Sequence, residues 1–315
     1  MNILVCGGAG YIGSHMAQWL AEAGHSVTVL DNLSTGHRQA VKWGELVEAD
    51  LLDPVSLERV FSARHFDAVM HFCARSLVGE SVRQPYDYYA NNVTGTLHLL
   101  EAMRRHGVER LVFSSTAAVF GNPVSELIDE DHPKAPINPY GASKLMVERI
   151  LADAADAYGL RSVALRYFNA AGALPQHAIG EAHACETHLI PNALRAALGT
   201  GPALKLFGDD YPTPDGTCVR DYVHVQDLAQ AHALALEFMD REAGAHAFNL
   251  GNGQGFSVRE VIAASARVAG RPVPHEVAPR REGDPARLVA SSQRARELLG
   301  WHPVWTDLDA ILDSA

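Results

Sequence analysis

Long apolar runs are missing from this chain. Nowhere do about 18 consecutive apolar residues occur, so no segment has the length of a membrane-spanning helix. A secretory leader is not expected either: Met1-Asn2 runs straight into Ile3-Leu4-Val5-Cys6 and then glycines, without a basic start or an extended apolar stretch. The cytoplasm is the expected compartment. Cysteine is scarce, with four residues, Cys6, Cys73, Cys185 and Cys218, widely spaced and forming no paired motif. A chain of 315 residues needs no disulfide staples, and these are expected to be reduced thiols. Positive charge is also in short supply: Lys plus Arg number 26 against 37 Asp plus Glu, a net charge of -11. Such a field repels a polyphosphate, so nucleic acid is not an expected partner, although backbone amides and a few arginines suffice for one small phosphate ligand. What is present, 47% hydrophobic and 20% charged residues, is the balance of a globular protein with an ample core.

Up to about residue 170, short β-branched runs alternate with longer amphipathic stretches, the pattern of a parallel sheet covered by helices on both faces. Strands are predicted at Asn2–Cys6, Ser26–Leu30, Gly44–Ala49, Ala68–Phe72, Arg110–Ser114 and Ser162–Arg166, with helices near 12–23, 55–63, 86–106 and 139–158. Beyond residue 170, Pro175, Pro191, Gly199, Pro202, Gly208, Pro212, Pro214 and Gly216 break the chain into short pieces. The stretch Val225–Met239 and a strand at Ala247–Leu250 are expected to return to the first unit. The expected division is a cofactor domain of residues 1–170 with a return segment at about 222–252, and a substrate lobe of 171–221 and 253–315.

The first strand runs into Gly7-Gly8-Ala9-Gly10-Tyr11-Ile12-Gly13, a G-x-G-x-x-G read from Gly8. Glycines there permit a tight turn, a close approach of pyrophosphate to the backbone, and close packing of the helix whose positive N-terminus faces the phosphates. Asp31, 18 residues beyond Gly13 at the end of the second strand, can accept from both ribose hydroxyls and would repel a 2′-phosphate. NAD is therefore expected rather than NADP. Asp50 and Leu51, after the third strand, are placed against the adenine. The expected fold is α/β: a doubly wound parallel (Rossmann) sheet with a smaller α/β substrate-binding lobe.

Tyr140-Gly141-Ala142-Ser143-Lys144 is a Y-x-x-x-K element behind Pro139, which suits a first helical turn. A spacing of four puts Tyr140 and Lys144 on one helix face. A nearby ammonium, with the positive nicotinamide ring, is expected to favour the phenolate and make Tyr140 a general base. The fifth strand ends in Ser114-Ser115-Thr116, delivering hydroxyls to the carboxyl edge of the sheet, where Thr116 can bond a sugar hydroxyl.

Together these residues resemble the extended short-chain dehydrogenase/reductase family. The resemblance covers nearly the whole chain through Gly7–Gly13, Leu30-Asp31-Asn32-Leu33, Val78-Gly79-Glu80-Ser81-Val82, Asn91–Thr96, Arg166-Tyr167-Phe168-Asn169, Gly216–Val225 and Arg280-Arg281-Glu282-Gly283-Asp284. It implies a bound NAD that takes hydride from C4 of a UDP-hexose, leaves a 4-keto sugar, and returns the hydride to the opposite face. Tyr140, assisted by Thr116 and tuned by Lys144, is then the catalytic base. The implied cofactor contacts add Tyr11, Ile12, Asn32, Phe72, Ala74, Asn92, Ser114 and Tyr167. Those for the UDP-sugar are Asn169, His188, Leu189, Leu206, Phe207, Arg220, Arg281, Asp284 and Leu288. The arginines can make charge-assisted bonds to the diphosphate, and Asp284 can accept from a ribose hydroxyl. The family also implies a homodimer built from the helices near 86–106 and 139–158.

The chain departs from the family pattern in several places. Thr116 stands where serine is common, Ser76 where a cofactor-contacting lysine is frequent (with Arg75 as a candidate substitute), Phe120 for tyrosine, and His188 for asparagine. Leu288 replaces a tyrosine or a small residue beside the hexose, which implies partial tolerance of UDP-N-acetylglucosamine. Epimerisation of UDP-xylose and UDP-arabinose stays open as an alternative. A sugar-nucleotide dehydratase would need an acidic pair where Ala117 and Ala118 stand, and a non-enzymatic NAD-sensing module would not need Tyr140 and Lys144. His183-Ala184-Cys185-Glu186-Thr187-His188 matches no common structural zinc spacing, so no metal is expected there.

Overall fold

The computed structural model describes residues 1–281 and 284–315; Glu282 and Gly283 of the Arg280–Asp284 motif lie outside the described residues. Strand β1 (Asn2–Cys6) divides its side chains between two apolar clusters, Ile3 and Val5 on one face and Leu4 and Cys6 on the other. A strand buried on both faces requires helices above and below it. The chain continues through α1 (Tyr11–Glu22), β2 (Ser26–Asp31), β3 (Glu45–Glu48), α2 (Pro54–Ala63), β4 (Ala68–His71), α3 (Val78–Arg83), α4 (Pro85–Tyr89), α5 (Gly95–Arg105), β5 (Arg110–Thr116), α6 (Pro139–Tyr158) and β6 (Arg161–Tyr167). A π-helical turn at Ala90–Thr94 joins α4 to α5, so the predicted helix near 86–106 carries an extra residue in one turn, a feature common at functional sites.

After β6 the elements shorten: β7 (Asn169–Ala171), α7 (Leu189–Leu198), β8 (Leu204–Phe207), β9 (Val219–Arg220) and β10 (Tyr222–His224). The longer α8 (Val225–Arg241) and β11 (Ala245–Leu250) follow, then β12 (Phe256–Ser257), α9 (Val258–Ala269), β13 (His275–Ala278), β14 (Arg287–Leu288) and α10 (Leu308–Ser314). The central sheet has the order β11-β6-β5-β4-β1-β2-β3 and is parallel throughout. This is the expected doubly wound α/β fold. The strand order reverses between β1 and β4, which opens a crevice at their carboxyl ends.

One apolar layer packs α1 and α8 on β1, β4 and β6 and takes in buried Trp301; the other sets α2, α5 and α6 on the opposite face. β11 pairs with β6, so the stretch after α8 closes the edge of the large sheet. Around α7, α9 and α10 lies a separate core with small sheets β12-β9-β14 and β13-β8. Local signals set the helix starts. Asp53 and Asn138 cap α2 and α6 directly before prolines, and Ser257 forms a reciprocal capping box with Glu260 at α9.

Candidate active site

The glycine loop meets the crevice as the first turn of α1. Gly7 has φ +82, and a Cβ there would come within 2.8 Å of the Cys73 nitrogen, so both conformation and space require glycine. A Cβ on Gly13 would lie 2.8 Å from the Gly7 carbonyl carbon, which is why the helix can seat directly on the turn. At Gly10 the only near neighbour is the Gly7 oxygen at 3.3 Å, and the rest of that side is open. Gly10 is also the N-cap and offers no side-chain acceptor, leaving the first-turn amides of α1, including those of Ile12 and Gly13, for a ligand. These features fit a pyrophosphate. The Tyr11 hydroxyl donates to the Gly172 carbonyl at 2.5 Å and ties the loop to the segment after β7.

Asp31 closes the far side. Its carboxylate accepts from the Ala9 amide at 3.0 Å and the Leu33 amide at 2.8 Å, which holds the loop and the strand end together while Leu33 takes a left-handed φ of 57. Asn32 donates to Asp50 at 2.9 Å, and the Asp50 carboxylate also accepts from the Leu52 amide. Leu51 is buried beside them. Residues at the ends of β2 and β3 thus converge at one end of the crevice, where adenosine fits.

At the other end, β5 and α6 bring Tyr140, Lys144, Thr116 and Ser114 together. Lys144 is buried, with Nζ donating to the Ser114 carbonyl at 2.8 Å and lying 4.6 Å from the centre of the Phe113 ring. Burial lowers its pKa to about 7. Burial raises the Tyr140 phenol, and the Thr116 hydroxyl beside it pulls the other way. The expected lowering of Tyr140 by Lys144 is therefore not what these residues produce by themselves: the ammonium is weakened by its own burial and turned to a carbonyl. The Tyr167 hydroxyl pairs with Ser114, and its pKa is likewise raised by burial.

Asn92, in the π turn, is saturated within the protein. It accepts from the Arg75 amide at 2.9 Å and donates to the Arg75 carbonyl and to Ser143, so it shapes the cleft wall through backbone 75 rather than by a free amide. Phe72 lies 4.8 Å from the His232 ring and Ala74 follows it along the wall. Arg75, the candidate substitute for the usual lysine, lies near two carboxylates. Its guanidinium faces Glu80 at 3.6 Å and Asp87 at 3.7 Å, and Ser76 is exposed. Phe120 is fully buried, with the Arg166 guanidinium 5.4 Å from its ring centre, an apolar and cation–π environment in place of a tyrosine hydroxyl.

Direct contacts join several of the predicted sugar-nucleotide residues. Arg220 donates to Asp284 at 2.7 Å, and parallel pairing of β9 with β14 sets Leu288 in register with Arg220. The Arg281 guanidinium lies 4.0 Å from the centre of the Phe207 ring. Leu206 is fully buried in the small core, while Leu189 opens α7. Asn169 donates to the Asp221 carbonyl at 2.8 Å. His188 contacts Glu181 and Glu186. Burial opposes its charge, but hydrogen bonds to the two carboxylates prevail and push its pKa up to about 10.

Three partners went unseen in the sequence. Glu148 forms a buried bidentate pair with Arg166 at 2.8 and 2.5 Å and accepts from Ser115 at 2.6 Å, bracing α6 against β5 and β6 under Tyr140. His71, buried at the end of β4, bonds the Thr96 hydroxyl at 2.8 Å and is kept neutral by burial, with a pKa near 3. Glu181 lies seven residues before His188 and shows no motif. Glu148 was legible only as the fourth residue after Lys144, on the same helix face as the base.

Comparison with known proteins places this geometry among relatives. The model of the NAD dependent epimerase/dehydratase family matches residues 3–251. A UDP-glucose 4-epimerase of Halalkalibacterium halodurans is 52% identical over 315 residues, covering 100% of this chain and 94% of the relative. The crystal structure of UDP-glucose 4-epimerase from Brucella ovis in complex with NAD superposes with a TM-score of 0.97 at 51% identity, covering 100% of this chain and 97% of that one. The UDP-Glc/GlcNAc 4-epimerase of Campylobacter jejuni gives a TM-score of 0.88 at 43% identity, with 100% and 97% covered.

Proposed function

The chain belongs to the NAD dependent epimerase/dehydratase family, and from that premise we propose that Tyr140 is the base through which it interconverts UDP-glucose and UDP-galactose. The enzyme is an NAD-dependent isomerase acting at C4 of these sugars. The observation that carries the assignment of roles is the junction of α6 with β5, where Tyr140, Thr116 and Lys144 share the carboxyl edge of the sheet beside the glycine loop. Bound NAD supplies a reversible acceptor for the C4 hydrogen, so the reaction has no net oxidation. Tyr140 takes the proton of the C4 hydroxyl and later returns it, and Thr116 orients that hydroxyl. Lys144 positions the nicotinamide ribose. Arg220 and Arg281 hold the diphosphate, and Asp284, already bonded to Arg220, accepts from the uridine ribose. With the charged contacts made to the nucleotide, the hexose is free to present either face.

Residues 1–170 and about 222–252 then form the NAD domain, and 171–221 with 253–315 the UDP-sugar lobe. The proposal includes a homodimer. Leu97 on α5 and Met146 on α6 are 44% and 48% exposed, an apolar face suited to a four-helix contact. Sedimentation should give a dimer for the native chain and a monomer for Leu97→Asp/Met146→Asp; a monomeric native chain removes it. Among the described residues no helix is long and apolar enough to cross a membrane, and a cytoplasmic location, checked by fractionation, completes the proposal.

The test incubates purified protein with UDP-galactose without added NAD and follows UDP-glucose by chromatography. Turnover is expected, with kcat lowered by about 10²–10⁴-fold in Tyr140→Phe. UDP-N-acetylgalactosamine runs in parallel, because the intermediate size of Leu288 beside Arg220 leaves partial room at C2. Full activity of Tyr140→Phe on UDP-galactose would overturn the assignment of the base, and no turnover of the N-acetylated sugar would remove the wider tolerance.

A further inference from the structure

The loop between β7 and α7 carries a cluster of which the sugar-nucleotide reading names only His188. Glu181, His183, Glu186 and His188 each bring one ligand-type atom into a cluster, all four atoms lying within 4.8 Å of one another. The Glu181 and Glu186 side chains are 9% and 1% exposed, so the carboxylates are enclosed rather than solvated. His183 Nδ1 is 3.0 Å from Glu181 Oε1 and 3.5 Å from Glu186 Oε2, and His188 Nδ1 is 3.4 Å from Glu186 Oε1 and in direct contact with Glu181. A tetrahedral metal with bonds of about 2.0–2.1 Å separates its ligand atoms by about 3.3–3.4 Å. The 3.0, 3.4 and 3.5 Å separations lie near that spacing, and the His188–Glu181 contact is shorter than it.

The orientation of the groups adds an independent observation. His183 Nδ1 and Glu186 Oε2 are both enclosed and neither meets a hydrogen-bond partner. His188 pairs with Glu181 as an ion-pair cluster would, but the Glu186 Oε2 and His183 Nδ1 atoms are left over from that pairing. A divalent cation that displaced the His188 proton would satisfy all four groups at once. We propose that these four residues form a binding site for a divalent transition metal, of which zinc is the best match. Two imidazoles and two carboxylates are a borderline donor set, with too few oxygens for calcium or magnesium, and the carboxylates balance the charge of the ion. Cys185, in the same loop, is exposed and takes no part.

The site is structural. Ala182, between the ligands, accepts from His37 beyond the glycine loop at 2.6 Å, Tyr11 reaches the Gly172 carbonyl, and His188 is the N-cap of α7. An ion there pins the loop between the dinucleotide turn and the first helix of the smaller lobe. The sequence does not advertise it because the ligands alternate as E-x-H-x-x-E-x-H, a spacing that meets only in a coiled loop.

The test uses holoenzyme stripped with a chelator and titrated with zinc chloride. One zinc per chain is expected, with affinity lowered at least about 100-fold in Glu186→Gln and in His183→Gln, beyond the ~10–100-fold typical of losing a group that only orients a ligand. Retention of bound NAD shows that each variant is folded. Cobalt(II) added to the stripped native protein should give visible bands of tetrahedral intensity, a readout that needs no variant and no turnover. No saturable zinc binding, native affinity retained in the two variants, or cobalt bands of octahedral weakness would each overturn the proposal, whatever the enzyme does to UDP-sugars.

Discussion

At the scale of single residues, the Tyr140–Lys144 pair raises the question of where the base gets its driving force. Burial raises the phenol and draws the lysine down to about 7, so the lysine charge fades as pH rises through 7 while the phenolate is gained only above it. The protein alone thus holds Tyr140 protonated at neutral pH. The remaining cation is an oxidised nicotinamide, whose ring charge favours the phenolate and disappears on reduction. Absorbance titration of tyrosinate should therefore place the Tyr140 midpoint lower in the NAD⁺ form than in the NADH form, the difference vanishing in Tyr140→Phe. Equal midpoints in the two forms would show that the cofactor charge does not tune the base.

At the scale of elements, catalysis depends on how closely α6 approaches the end of β5. Asn138 caps the helix by accepting from the Gly141 amide at 2.9 Å, and a Cβ on Gly141 would lie 2.8 Å from the Ala118 carbonyl carbon. Glycine at that position lets the first turn of α6 rest on the turn that follows Thr116. Gly141→Ala forces the two apart, and since about 1 Å of misplacement costs near 10²-fold, kcat should fall by about that factor while bound NAD is retained. An unchanged kcat would mean that the close approach is not needed.

The helix and its Y-x-x-x-K element were legible in the sequence from proline, cap and spacing. The approach itself was not, because it joins segments over twenty residues apart through a backbone carbonyl. The same distinction runs through the fold. Strands of the large sheet announce themselves as continuous apolar runs, whereas β9, β12 and β14, two residues each, have no period to read. Leu288 and Arg220 meet only because β14 pairs with β9. Arg75, adjacent to the missing lysine in sequence, lies near Glu80 and Asp87, which no local pattern reveals.

At the scale of the whole molecule, four histidines buried at 1% exposure or less set the response to acid. Burial lowers His15, His224 and His232 to about 4 and His71 to about 3. Each folded value lies below the ordinary one of about 6.5, so as pH falls the unfolded chain binds these protons first. Their contribution to stability is complete above about pH 6.5 and drains away toward 4. At about 1.4 kcal/mol per pH unit for each proton, four sites set an upper slope of about 5.5 kcal/mol per unit. Buried Glu130, Asp221 and Asp227, whose pKa values are raised by burial, act in the opposite sense and reduce it. His232 isolates one proton, since its Nδ1 bonds only the Leu228 carbonyl at 2.7 Å and its Nε2 meets no partner. Urea unfolding between about pH 6 and 5 should therefore show a slope smaller by about 1.4 kcal/mol per unit in His232→Gln than in the native chain. Parallel slopes would mean that His232 is protonated in the folded protein, and that the core beside Phe72 tolerates a charge its burial should forbid.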